Sequence, residues 1–70
     1  MKFLVLFVPY GKMDIHALET EALPFRHLRT NTIFPGTSEP ATVAEWADAS
    51  KAGEWTQIPH GYHQIIVRLE

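Results

Sequence analysis

Phe3-Leu4-Val5-Leu6-Phe7-Val8 is an unbroken apolar run, directly after Met1-Lys2 and closed by Pro9. A run this short, β-branched and aromatic, and stopped by proline, reads as a strand rather than a helix. Successive side chains of a strand point to opposite faces, so Phe3, Val5 and Phe7 cover one side while Leu4, Leu6 and Val8 cover the other. Both sides need shelter from water. The stretch therefore predicts an interior strand with a neighbour on each edge.

Outward from it, Pro9-Tyr10-Gly11-Lys12 has the composition of a turn. Asp14 is placed to cap a short helix over 15–22. There Ile15, Leu18 and Ala22 form one apolar stripe and His16, Glu19, Thr20 and Glu21 face away. Leu23-Pro24 stops that helix, because the residue before proline is pushed out of the helical region. Next, Leu28, Thr30, Thr32 and Phe34 alternate with His27, Arg29, Asn31 and Ile33. This period of two predicts a strand over Arg26–Ile33, polar enough to lie at an edge. Pro35-Gly36 reads as a type II turn.

Thr42-Val43-Ala44-Glu45 is a capping box, the threonine oxygen taking an orphan amide and the glutamate reaching back to the cap. Pro40 is the alternative start, at the first position of a longer helix. The helix is expected over Val43–Ala52, burying Val43, Trp46, Ala47 and Ser50 and exposing Glu45, Asp48 and Lys51. Trp46 is its anchor on the sheet, and Gly53 ends it in a left-handed cap. Glu54–Ile58 and Tyr62–Leu69 then form a hairpin about Pro59-His60-Gly61. The expected register pairs Ile58 with Tyr62, Gln57 with His63 and Trp55 with Ile65. It sets Trp55, Ile65, Val67 and Leu69 on the core face, leaving Tyr62 and Ile66 on the outer one.

The predicted order is strand, helix, weak strand, helix, strand, strand. It describes an α+β two-layer sandwich, a small mixed or antiparallel sheet of three or four strands with two helices on one face. The strongly apolar C-terminal strand belongs beside the first. A chain of 70 residues without repeats or linkers makes one domain. At that size about 60% of the unfolded surface is buried, and the core supplies only ~3–5 kcal/mol. With no cysteine there is neither a disulfide nor a thiolate metal site to add to it.

Composition weighs against several functions. Six Lys+Arg against eight Asp+Glu give a net charge of −2, not the basic excess of a nucleic-acid binder. Lys2 and the apolar run imitate a secretory signal, but the run is too short and no small-residue cleavage site follows. There is no apolar stretch of ~20 residues to span a membrane. The expectation is a soluble cytoplasmic protein with no membrane contact.

Candidate chemistry is sparse. His60 and His63 flank a turn and could share a metal with His16, His27 or Glu54. Against that, His60 sits at a turn tip, His63 faces Gln57, and nothing is placed to orient either imidazole. No metal and no cofactor is therefore assigned. Gly11-Lys12 lacks the second glycine of a phosphate loop. Ser38 and Ser50 lie outside any nucleophile elbow, and the acidic residues fall on solvated faces rather than in one pocket. Arg26 and Arg29, with Asn31, are the one basic concentration, able to grip phosphate or an acidic partner, although a charged edge blunted against stray strand pairing is the stronger reading.

The favoured reading is a small non-catalytic protein-interaction module: a regulator, inhibitor or complex subunit of the phage-encoded or accessory kind. Its aromatic residues exceed what so small a core can cover, and aromatics with arginine are what interface centres use. The contact residues named by this reading are Arg26, Arg29, Asn31, Tyr62 and Ile66. The expected partner is a protein, including a second copy in a homodimer through the Arg26–Ile33 edge or the outer face of the hairpin. The alternatives are a histidine-dependent metal site with hydrolytic chemistry and a nucleic-acid binder using Arg26 and Arg29.

Overall fold

A computed structural model describes residues 1–34, 36–59 and 64–70. The protein is mostly β. Four strands, β1 (Phe3–Phe7), β2 (His16–Thr20), β5 (Trp55–Ile58) and β6 (Gln64–Arg68), form an antiparallel sheet in the order β2-β1-β6-β5. A separate hairpin joins β3 (Arg29–Ile33) to β4 (Pro40–Thr42), and one helix, α1 (Val43–Ala49), follows directly. The expected α+β sandwich with two helices is corrected to a four-stranded sheet, a hairpin and one short helix.

β1 is the interior strand that its apolar run predicts, paired with β2 on one edge and with β6 on the other. The C-terminal strand lies beside it, as expected. The helix expected over 15–22 is instead β2, in register with β1 from Phe3↔Thr20 to Phe7↔His16. An isolated helix of that length is marginal in water, whereas a hairpin satisfies a whole row of β1 amides and carbonyls. The intended stripe buries nothing, since Ile15, Leu18 and Ala22 are all exposed. The turn before β2 forms as its composition predicts, with Lys12 N–H donating to Pro9 O at 3.0 Å and Gly11 at φ +75°.

α1 keeps the predicted buried stripe of Val43, Trp46, Ala47 and Ser50, with Glu45, Asp48 and Lys51 exposed. Thr42 is its N-cap, its Oγ1 accepting from Glu45 N–H at 3.2 Å. The helix is shorter than Val43–Ala52. Ser50 is its C-cap in extended backbone, so Gly53, at φ +90°, is not the cap glycine but belongs to the turn into β5. Pro40 lies in β4 rather than at a helix start.

The C-terminal hairpin forms with a different register. Trp55 stands opposite Val67, Gln57 opposite Ile65 and Ile58 opposite Gln64, two residues further along β6 than expected. The buried face is also the opposite one: Thr56, Ile58 and Ile66 point into the core while Trp55 is 62% exposed. The core is one cluster of Phe3, Val5, Leu23, Val43, Trp46, Ala47, Ile58 and Ile66, with Phe7, Leu28 and Phe34 against it. Phe3 and Trp46 meet at a ring separation of 6.1 Å. α1 and the β3–β4 hairpin thus cover the face of Phe3, Val5 and Ile66.

Candidate functional site

The uncovered face follows from the two registers. Leu4 aligns with Val67 and Glu19, Leu6 with Ile65 and Ala17, and Val67 and Ile65 with Trp55 and Gln57. Paired residues share a face, so Leu4, Leu6, Ile65, Val67 and Trp55 form one apolar field across β1, β6 and β5. Leu4, Leu6, Ile65 and Val67 are half-buried by their lateral neighbours, and Trp55 stands clear. At strand spacing this field measures roughly 300 Å², the size of the largest apolar patch on a typical monomer, which is often functional. Lys2 and Glu19 form an ion pair at 3.4 Å on its β2 side, both largely exposed.

The residues named from sequence are scattered rather than gathered there. Ile66 is 0% exposed, in the core and on the opposite face from the one expected, so it cannot touch a partner. Arg26 is exposed, and its carbonyl accepts from Ala44 N–H at 3.2 Å, a backbone cap for α1. Arg29 donates to Pro40 O at 3.0 Å and pairs with Glu39 at 3.5 Å, which binds its charge to the β3–β4 connection. Asn31 donates to Gln57 at 3.4 Å, and Thr32 and Thr56 share a hydrogen bond at 2.7 Å, so β3 is packed against β5. Tyr62, His60 and His63 lie outside the described residues.

Of the third ligands weighed for a metal, His16 lies on β2 with its ring 6.1 Å from that of Phe7, and His27 is exposed. Glu54 accepts from Lys51 N–H in the turn ahead of β5. Among the described residues no group of three or more His, Cys, Asp or Glu is placed to hold a metal ion. A wide depression of about 520 Å³ beside the β3–β4 connection is lined by Arg29, Thr37, Ser38, Glu39 and Glu45. Its arginine is already neutralised by Glu39.

A smaller apolar notch of about 120 Å³ opens between β2 and the segment that follows it, lined by Val5, Phe7, Leu18, Pro24, Phe25 and Gln64. Phe25, one of its lining residues, has a left-handed backbone, φ +62°, rare for an aromatic residue. The Gln64 Oε1 at its wall is buried with no hydrogen-bond partner among the described residues.

The sequence puts Trp55, Ile65 and Val67 on one face of the hairpin, which is the outer face rather than the core one, and it puts Leu4 and Leu6 on one face of the first strand. No family model, curated protein or solved structure matches this chain.

Proposed function

We propose that the protein is a non-catalytic binding module that presents the outer face of its four-stranded sheet to another protein. The observation that carries this reading is Trp55, 62% exposed at the margin of the field formed by Val67, Ile65, Leu4 and Leu6. An exposed tryptophan beside a flat aliphatic surface, with the Lys2–Glu19 ion pair at its rim, has the anatomy of an interface centre and its polar border. Neither Arg26 nor Arg29 lies on this face, so the reading needs no phosphate or acidic partner.

The test is a photo-cross-linking amino acid at position 55, compared with the same group at Asp48 on the exposed side of α1, in extract of the native host. A partner captured at 55 and not at 48 is then purified and titrated. Trp55→Ala is expected to weaken its binding at least about 30-fold, the ≥2 kcal/mol of an interface centre, with the far-ultraviolet circular dichroism unchanged. Equal capture at both positions, or equal affinity of the variant, overturns the reading.

A further inference from the structure

We infer that the protein forms a symmetric dimer by antiparallel pairing of β2 with the β2 of a second copy, centred on Leu18. This surface is distinct from the outer face, so the two proposals stand or fall separately.

The two ends of the main sheet differ. β5 has β3 packed along it, bridged by Thr32–Thr56 and Asn31–Gln57. β2 is the other terminal strand, and no strand among the described residues flanks it. His16-Ala17-Leu18-Glu19-Thr20 runs in unbroken register with β1 and contains no proline, lysine or bulge, three of the devices by which proteins blunt an edge, and its one charged side chain, Glu19, is paired with Lys2.

The phase of its free backbone groups follows from one bond. Leu69 N–H donates to Lys2 O at 2.8 Å, so even-numbered residues of the β1 stretch turn their peptide groups toward β6. Phe3, Val5 and Phe7 therefore turn theirs toward β2, where their partners are Thr20, Leu18 and His16. By alternation Ala17 and Glu19 aim N–H and C=O at the open edge. Antiparallel pairing to a second copy must join these residues to one another, which leaves three registers, centred on Ala17, Leu18 or Glu19.

Centring on Glu19 opposes two carboxylates, which is repulsive, and centring on Ala17 sets each Glu19 carboxylate opposite the apolar Ile15 of the partner. Centring on Leu18 pairs Ala17 with the partner's Glu19 in both directions. It also sets the two Leu18 side chains together, each 47% exposed in the isolated chain and each lining the mouth of its own apolar notch.

Strand pairing alone covers far less than the ~800 Å² per partner of a standard interface, and the remaining area is available at this end of the molecule. Tyr10, Met13, Ile15 and Phe25 are all exposed, Met13 at 97%. In the Leu18-centred register the residues at 13 and 15 run toward the partner's 21–23, bringing the apolar hairpin tip of one copy beside the Pro24-Phe25 segment of the other. A two-fold axis normal to the sheet then makes eight continuous strands, with both helices on one side and both outer faces on the other.

Sedimentation equilibrium of the wild-type chain is expected to show a dimer. Ala17→Pro removes an amide that takes no part in the β1–β2 ladder. It should keep the circular dichroism and raise the dimer dissociation constant about 30-fold, two hydrogen bonds being lost per dimer. Leu18→Cys gives an independent reading, because the chain has no other cysteine. At a non-hydrogen-bonded pair the two Cα atoms stand about 4.5 Å apart, within disulfide reach. Mild oxidation should therefore link Leu18→Cys into a covalent dimer much faster than Asp48→Cys. A monomer from micromolar to millimolar concentration, a dimer untouched by Ala17→Pro, or equal rates for the two cysteine variants would each overturn the proposal.

Discussion

Two tryptophans divide the labour between the faces of one sheet. Trp46 is 4% exposed and packs on Phe3, while Trp55 lies across the sheet with its ring largely in solvent. The same division runs along β6, where Ile66 is enclosed and its neighbours Ile65 and Val67 are half-buried. Ile66→Ala leaves a cavity among Val5, Ile58 and α1, and the expected loss is about 2–5 kcal/mol of unfolding free energy. Urea titration measures it. An unchanged midpoint would mean that the other side of β6 is the buried one.

α1 is 7 residues long, too short to persist in water, and it stands because both ends are tied to the rest of the fold. At its start Val43 N–H donates to Leu28 O at 2.8 Å, Ala44 N–H to Arg26 O and Glu45 N–H to Thr42 Oγ1. At its end the Arg68 guanidinium, projecting from β6, donates to Ala47 O at 3.3 Å and to the Ser50 carbonyl. A cation at the carboxyl end of a helix also suits its dipole. Arg68→Met keeps the apolar stem and removes the donors, and it should lower stability by about 1.5–3 kcal/mol, the range for bonds to a charged group. Arg68→Lys should recover only part, since one ammonium cannot reproduce the planar fork. Thermal melts of the two variants read this directly, and a full recovery by lysine would reduce the arginine's role to charge.

The main sheet and the β3–β4 hairpin differ in how firmly they are held. β1 and β6 are paired on both edges, whereas β3–β4 is a two-stranded ribbon with an irregular register between Arg29 and Ile33. Two strands alone are marginal, so this hairpin depends on its contacts with β5 and α1. Amide hydrogen exchange should accordingly be slowest in β1 and β6 and faster in β3–β4. Slower exchange in β3–β4 than in β1 would put the stable centre of the molecule elsewhere.

What could be read along the chain was whatever a few neighbouring residues settle among themselves. The β1 run, the turn at Pro9–Lys12, the Thr42 cap and the Val43/Trp46/Ala47 stripe depend on local sterics, capping and periodicity, and each is present. The 16–20 segment was not legible, because its helical spacing is genuine and lost only to the β1 edge that needed a partner. Nor was the buried side of the sheet. Phe3, Val5 and Ile66 make one apolar row, and Leu4, Leu6, Ile65 and Val67 make another, so alternation along β1 and β6 permits either to face inward. Once residues 16–20 became a strand, a single helix and one hairpin remained to cover a sheet that is apolar on both sides. They close over the Phe3 row, and Trp55 is left outside because burial is a competition for limited cover, which no single strand's pattern contains.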